Sequence, residues 1–468
     1  MSISLQQFET DVLPALSRYA TIPCLSPAFD ADWEEHGYLN AAMTHYAEWA
    51  QARTFKNHTV TVRELPGRTP VLVITIDATA PTTGTVLLYG HLDKQPPLGA
   101  WSEGLDPYQP VRRGNRIFAR GVADDGYAMF SALLAIEELE RTGVPHSRCV
   151  VLIEASEESG SPDLEPHLDV LGAELGNVEL MICLDSGAHS YDRLWVTTSL
   201  RGVLNVDVTV DVLERGQHSG SASGVVPSSM RIMRQLLDRI EDSATGEILI
   251  SELQPQIPMS HVTAASHVAE AFGDVAGQEQ PVVPGLELMG ADAAERILRR
   301  SWYPTLSIVG AQGLPDSSIA GNVLRPSTTL TLSLRLPPSC DPVAAEQAVV
   351  RTLTSNVPSN ARVSVTAVAA SGWVTPELAP WLRTALEEGS TLAFGNEVAY
   401  AGEGGSIPFL AALGQRFPSV QFVATGVLGP DSNAHGIDEM LDLDCAVAVT
   451  NAISHVLSAH AAQGEKKP

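Results

Sequence analysis

Three short apolar runs in the first half of the chain each lead into side chains of the kind that bind metals. The runs are residues 86–89, 149–153 and 180–184. Each is too short for a helix, which predicts buried strands. His91 follows the first, Glu157 and Glu158 the second and Asp185 the third. Because the carboxyl ends of parallel strands meet at one edge of an open α/β sheet, we expect one shared site at that edge.

Two more side chains complete a donor set. Asp124 belongs to an Asp-Asp pair just before a predicted helix, and His435 lies in the polar loop before the last helix. The full set is His91, Asp124, Glu158, Asp185 and His435. Two imidazoles and three carboxylates suit zinc, manganese or cobalt. Five ligands exceed what one open catalytic zinc needs, and two dications with a bridging hydroxide would balance their charge. We therefore predict two divalent ions per subunit, zinc first among them.

Two carboxylates beside this set have predicted supporting roles. Asp93 can accept the proton of the second ring nitrogen of His91 and fix its orientation. Glu157 has no ligand role, and beside a metal-bound water it is suited to be the general base. Structural alternatives stay open for each motif. A histidine at a strand end is often only hydrogen-bonded, Asp124 and Asp125 favour a helix dipole, and Glu157 can pair with a nearby cation.

Composition limits the classes of partner and the number of domains. The 468 residues exceed what one hydrophobic core serves, so two or more domains are expected. A net charge of −26 argues against nucleic acid and against anionic membrane surfaces. The five cysteines are scattered without a C-x-x-C spacing, which fits a reduced cytoplasm. No run approaches eighteen apolar residues, so no membrane span is expected.

The pattern of apolar residues changes twice along the chain. Alternating strands typical of a half-exposed sheet begin near residue 200, and the first pattern returns after residue 371. We predict a catalytic domain with a mostly parallel sheet flanked by helices, and within it a smaller inserted α/β sandwich. The predicted catalytic domain comprises residues 1–199 and 372–468, and the predicted insertion comprises residues 200–371.

With these motifs assembled, the chain resembles the M20 family of metallopeptidases, and within it the carnosinase-like and cytosolic-dipeptidase-like members. The motifs that carry the resemblance are Gly90–Asp93, Ala123–Gly126, Glu157–Ser161, Leu184–Ser186, Gln217–Gly220, Gly404–Pro408 and Ala434–His435. Together, in this order, they are highly specific.

The resemblance implies a role for each motif. One ion would be held by His91 and Asp185, the other by Glu158 and His435, and Asp124 would bridge them. Glu157 would activate a water lying between the metals. The resemblance also implies a cis peptide between Asp124 and Asp125.

The inserted domain would serve as lid and homodimer interface. From it, His218 would polarise the scissile carbonyl in the partner subunit's site, and Arg335 would bind the substrate carboxylate. Arg335 also fits a plain surface position on a strand. Gly404, Gly405 and Ser406 would contact substrate.

Two departures from the family pattern concern specificity. Gly126 and Tyr127 stand where relatives usually have Lys-Gly, and Gly402 stands where they often have Arg.

The expected reaction is hydrolysis of the amide bond of a dipeptide or short peptide. The alternatives are an N-acyl amino acid deacylase or amidohydrolase of the same family and, more remotely, a catalytically silent metal-binding protein.

Overall fold

The structure is a computed structural model that describes residues 2–81, 84–405 and 408–464. It divides into two compact units. The first consists of Met1–Thr198, Thr375–Ala401 and Ala412–Pro468, and the second of Ser199–Val374 and Gly402–Ala411. The sequence interpretation assigned Gly402–Ala411 to the catalytic domain, whereas its contacts in the structure are with the second unit.

The elements up to residue 200 begin with four helices and continue with strands and helices of the first sheet region. The helices are α1 (Leu5–Asp11), α2 (Leu13–Ala20), α3 (Trp33–His36), α4 (Tyr38–Gln51), α5 (Ala128–Thr142) and α6 (Leu164–Leu171), with 3-10 turns at Glu157–Ser159 and Gly172–Leu175. The strands are β1 (His58–Arg63), β2 (Val71–Ile76), β3 (Thr85–His91), β4 (Val111–Arg113), β5 (Arg116–Phe118), β6 (Arg148–Glu154), β7 (Val178–Cys183) and β8 (Trp195–Leu200). The first two helices are separated only at Val12, and Pro14 occupies the first turn of α2, where a missing N–H costs nothing.

The second unit contains a four-stranded antiparallel sheet. The strands of this unit are β9 (Gly202–Asp211), β10 (Gln217–His218), β11 (Glu241–Asp242), β12 (Glu247–Ile248), β13 (Thr305–Gln312), β14 (Val323–Leu324), β15 (Ser327–Leu336), β16 (Arg362–Ala370) and β17 (Trp373–Val374). Its helices are α7 (Ser219–Ala222), α8 (Ser229–Leu237), α9 (Met259–Phe272), α10 (Val275–Gln278), α11 (Ala293–Ser301) and α12 (Pro342–Thr354), with 3-10 turns at Ser251–Leu253, Ser317–Ile319 and Pro358–Asn360. The sheet order is β13-β15-β9-β16. Its apolar face packs against α8 and α12, which makes the predicted α/β sandwich.

The remaining elements return to the first pattern. They are α13 (Pro380–Phe394), β18 (Ala399–Glu403), α14 (Pro408–Arg416), β19 (Gln421–Ala424), β20 (Met440–Asp442) and α15 (Leu443–Gly464). Within the described residues, Leu443–Gln463 is long and apolar enough to cross a membrane, with a hydropathy of 1.2, yet 72% of that window is buried inside the protein. Since α15 packs against α5 and α13, it is a core helix of the first unit.

The sheet of the first unit has a parallel centre. Its order is β1-β2-β6-β3-β7-β19-β8. Strands β6, β3, β7 and β19 run parallel to one another, and antiparallel strands continue the sheet on both sides. Helices α4 and α5 pack against the sheet. This is the predicted mixed α/β architecture, and it brings the carboxyl ends of three buried strands to one edge.

Candidate metal centre

The central strands bring the predicted donors together. β3 ends at His91 and lies between β6 and β7, parallel to both. Glu157 and Glu158 form a 3-10 turn three residues beyond the end of β6, and Asp185 lies two residues beyond β7. Each donor therefore stands just past a strand end at the same edge of the sheet, as the three apolar runs predict.

Asp124 lies between the two histidines. Its Oδ1 is 3.3 Å from His91 Nε2, and its Oδ2 is 3.1 Å from His435 Nε2. His91 Nε2 is also 3.7 Å from Asp185 Oδ2, and His435 Nε2 is 3.3 Å from Glu158 Oε2. The two oxygens of one carboxylate thus face different imidazoles, and each imidazole has a further carboxylate beside it.

The chain at Asp124 is fixed by its surroundings. The peptide between Asp124 and Asp125 is cis, as the resemblance implies. Both side chains are buried, with Asp124 6% and Asp125 0% exposed. Asp125 Oδ2 accepts a hydrogen bond of 3.2 Å from the His91 backbone N–H, so it connects this turn to the end of β3.

Asp93 orients its neighbours in a different way from the one expected. The hydrogen-bond partner of His91 Nδ1 is the main-chain carbonyl of Asp93, at 3.0 Å, whereas the nearest carboxylate oxygen is 3.5 Å away. The carboxylate accepts the backbone N–H groups of Glu157 and Glu158 at 3.1 and 3.0 Å. Because those two donors occupy its oxygens, Asp93 fixes the glutamate turn with its side chain and His91 with its backbone.

Burial and like charge control the electrostatics of this cluster. Burial raises the pKa of Asp185 to about 7, and the charge of Asp124 adds to that shift. Burial also raises the pKa of Glu157 well above its usual range, with Asp185 and Glu158 adding to the effect. Burial opposes protonation of His435, but the carboxylates of Asp124 and Glu158 outweigh it and raise its pKa to about 11. The site therefore favours added positive charge.

The donor atoms fit divalent ions. The ligand atoms within each of two groups, His91 with Glu157 and Asp185 and His91 with Asp124 and Glu158, lie within 4.8 Å of one another. Ligands about 2.1 Å from a tetrahedral zinc are roughly 3.4 Å apart, close to the distances seen here. Within the described part of the chain, His91 Nε2 and Glu158 Oε1 are buried without a hydrogen bond. Buried polar atoms normally have a partner, and a cation would provide one.

The remaining predicted residues belong to the second unit. His218 is exposed at the start of α7, and its Nδ1 accepts the Gly220 N–H at 3.1 Å. Arg335 is partly buried on β15, and burial lowers its pKa. The carbonyl of Gly404 accepts a bond of 3.2 Å from Arg201 Nε, while Gly405 has open space around it. Ser406 lies outside the described residues.

Comparison with known proteins identifies the family. The model of peptidase family M20/M25/M40 matches residues 87–459, which is most of the chain. The chain belongs to this family. The suspected M20 membership, and with it a peptidase enzyme, is thereby confirmed.

Several members of the M20/M25/M40 family are similar along most of the chain. Cys-Gly metallodipeptidase dug1 of Schizosaccharomyces pombe is 25% identical over 449 residues, covering 92% of this chain and 91% of that protein. Cysteinylglycine-S-conjugate dipeptidase of Corynebacterium striatum is 26% identical over 366 residues, covering 76% and 77%. The crystal structure of human carnosine dipeptidase 1 is 20% identical, with a TM-score of 0.76, and covers 98% of this chain and 97% of that one. This structural likeness establishes the fold.

The two glycines that depart from the usual M20 pattern, Gly126 and Gly402, are closely surrounded by other atoms. A Cβ at Gly126 would lie 2.2 Å from the carbonyl oxygen of Gly121. A Cβ at Gly402 would lie 2.4 Å from Ser199 Oγ and 2.8 Å from Ser301 Cβ. A side chain at either position would require neighbouring atoms to move, so the lysine and arginine expected from the family pattern do not fit the present packing.

Sequence reasoning missed several residues that support the site. Gln95 donates to Glu158 Oε2 at 2.8 Å, and Tyr127 donates its hydroxyl to the carbonyl of Leu184, next to Asp185. Arg201 binds the carbonyls of Arg299 and Tyr303 in addition to that of Gly404. Gln95 and Tyr127 lie next to the recognised motifs in the sequence, and this proximity could have identified them as supporting residues.

Proposed function

We propose that this M20 family member is a metal-dependent dipeptidase, which hydrolyses the amide bond of a dipeptide or short peptide. The observation that carries the proposal is the position of Asp124, whose two oxygens face His91 and His435 separately. This is the arrangement expected of a carboxylate shared by two ions. The curated relatives named above are dipeptidases of the same family, which supports a substrate of that size.

The proposed ligands divide into two groups around Asp124. His91 and Asp185 would hold one divalent ion, and Glu158 and His435 the other. Mixed imidazole and carboxylate ligands favour zinc, with manganese and cobalt as alternatives. Bound divalent ions supply Lewis acidity and lower the pKa of a coordinated water.

Glu157 is the proposed proton carrier. One of its carboxylate oxygens is within 4.8 Å of ligand atoms of His91 and Asp185, so it adjoins the proposed ions. Burial raises its pKa, which makes the carboxylate a stronger base than an exposed glutamate. Glu157 would accept the proton of the attacking water and deliver it to the leaving nitrogen.

The second unit provides the proposed substrate contacts. Because Nδ1 of His218 accepts the Gly220 N–H, the neutral ring carries its proton on Nε2, free to donate to a carbonyl oxygen. Among the described residues, no hydrogen bond or ion pair involves the guanidinium of Arg335, which suits a substrate carboxylate. Gly404, Gly405 and Ser406 would add contacts. We propose that His218 acts in the site of a partner subunit within a homodimer.

We propose the cytoplasm as the location of the protein. All five cysteines are free, and four of them, Cys24, Cys149, Cys183 and Cys445, are buried. Free buried thiols fit a reducing compartment.

The test is to remove metals with a chelator, restore zinc, manganese or cobalt separately, and assay a panel of dipeptides beside N-acyl amino acids. We expect dipeptide cleavage that depends on the restored metal and is lost in Glu157→Gln. The exposed Glu165→Gln on α6 serves as the matched control. Cleavage confined to N-acyl substrates would instead assign a deacylase. A full metal content without turnover of any substrate would contradict the proposal and indicate a silent metal-binding protein.

A further inference from the structure

A buried ion pair lies behind the proposed metal centre, and the proposed chemistry does not use it. Arg120 and Glu439 are 1% and 0% exposed, and Arg120 Nη1 is 2.6 Å from Glu439 Oε2. Removing two charges from water is costly, so a fully buried pair needs many compensating hydrogen bonds. All but one of the partners that supply those bonds belong to the two segments that carry Asp124 and His435.

Glu439 holds the segment that leads to Asp124. Its Oε2 accepts the backbone N–H of Gly121 at 2.8 Å in addition to Arg120. Its Oε1 accepts the N–H groups of Ala123 and Asp124 at 3.0 and 3.2 Å. Both oxygens are therefore occupied, and three of the four donors are consecutive or nearly consecutive backbone groups that end at Asp124 itself.

Arg120 holds the loop that carries His435. Its Nη2 donates to the carbonyl of Gly436, the residue after His435, and to that of Pro96 at 3.2 Å. His435 itself has a φ of 61°, a left-handed conformation that is uncommon outside glycine. Such a backbone persists only where its surroundings determine it, and the bond from Arg120 to Gly436 is one such determinant.

We propose that Arg120 and Glu439 are positioning residues that set the spacing between Asp124 and His435. Through that spacing they control the affinity of the ion shared by Asp124, Glu158 and His435. The inference rests on the proposed metal centre and extends it with two residues that touch neither metal nor substrate. The His91–Asp185 side is held mainly by Asp93 and Asp125, and the pair reaches it through Asp124 and through the bond from Arg120 to Pro96 in the loop after β3.

The experiment must separate positioning from the cost of an unpaired buried charge. Glu439→Gln alone leaves Arg120 buried without its counter-charge. The double variant Arg120→Met with Glu439→Gln removes both charges. The glutamine keeps only one acceptor oxygen, which cannot accept the N–H of Gly121 and also the N–H groups of Ala123 and Asp124. Glu137→Gln is the matched control, because Glu137 likewise accepts from an arginine, Arg53, and from a backbone N–H, that of Thr54.

The readouts are the melting temperature of the metal-free protein and zinc affinity, measured by chelator competition. In the double variant we expect a folded protein with a lower melting temperature, because buried backbone groups lose their hydrogen-bond partners, and a loss of about 10- to 100-fold in affinity for one ion only. That ion should be the one also lost in His435→Ala. Glu137→Gln should change neither zinc affinity.

Other outcomes are decisive as well. If the double variant keeps full affinity for both zinc ions, whatever its melting temperature, the pair does not position the metal ligands and the inference is wrong. If the wild type binds no zinc, the proposed metal centre fails, and the inference fails with it. Should the double variant not fold, Arg120→Lys replaces it. A lysine keeps the charge facing Glu439 but cannot contact Gly436 and Pro96 together, so the same selective loss of affinity is expected.

Discussion

The two units differ in how deeply they bury most of their candidate functional groups. In the first, His91, Asp124 and Asp185 are at most 7% exposed, whereas the side chain of His435, on a loop, is 56% exposed. In the second, His218 is exposed and Arg335 is only partly buried. A metal ion needs donors fixed before it binds, whereas a substrate must enter and leave. Burial in this comparison is therefore deepest at the strand-end donors and Asp124, while His435 resembles the groups of the second unit in its exposure.

The largest effect is expected from Asp124→Asn in the buried cluster. The amide keeps the shape but removes the charge of the one carboxylate that faces both histidines, so affinity for both ions should fall. Activity should fall by about three orders of magnitude or more, since bound metals supply several kcal/mol of transition-state stabilisation. Metal content and kcat/KM measure this, with exposed Asp32→Asn as control. Two tightly held ions in Asp124→Asn would contradict the shared-ligand assignment.

A smaller loss is expected from His218→Gln. Removing one donor to the developing oxyanion typically costs about 100- to 1000-fold in kcat. Metal content should not change, because His218 belongs to the second unit and the metal cluster to the first.

Subunit mixing sharpens this second prediction. If His218 serves a partner's site, mixing inactive His218→Gln with inactive Glu157→Gln creates hybrid dimers with one complete site. About a quarter of the wild-type activity should return after random exchange of subunits in a two-fold dimer. A mixture that stays inactive after proven exchange would show that His218 does not act across subunits.

Arg335→Lys should have a milder effect, mainly on KM. A lysine keeps the positive charge but not the two-pronged geometry that matches a carboxylate. Since a charged hydrogen bond contributes about 1.5–3 kcal/mol, kcat/KM should fall about 10- to 100-fold. Arg362→Lys, on strand β16 of the same sheet and with an 81% exposed side chain, is the control. Equal losses for a free dipeptide and its C-terminal amide would exclude a role in carboxylate binding.

The proximity of the candidate donors could be predicted from the sequence because its signals are local. Apolar runs define the strands, and the strand ends determine where His91, Glu158 and Asp185 lie. The Arg120–Glu439 pair was not predictable in this way, because 319 residues separate its members and no periodicity connects them. Helix α9 was missed because it buries only Ala265 and Val268, which leaves little apolar periodicity to detect. Strand β13, at the edge of its sheet, buries none of its residues and gave no strand signal.

The smallest effect is expected from Gly402→Ala, and it concerns stability. The new methyl group would overlap Ser199 Oγ and Ser301 Cβ, and such overpacking costs typically about 1–3 kcal/mol. Gly405→Ala is the matched control, since nothing lies within 4 Å of a Cβ at that position. Differential scanning calorimetry should show a lower melting temperature for the first variant only, partly restored by adding Ser199→Ala. An unchanged melting temperature would mean that the atoms around Gly402 move readily to make room for the methyl group. The absence of an arginine at position 402 would then reflect substrate specificity, because packing would not exclude that side chain. A clear loss would instead mean that the packing around Ser199 and Ser301 excludes a side chain at position 402.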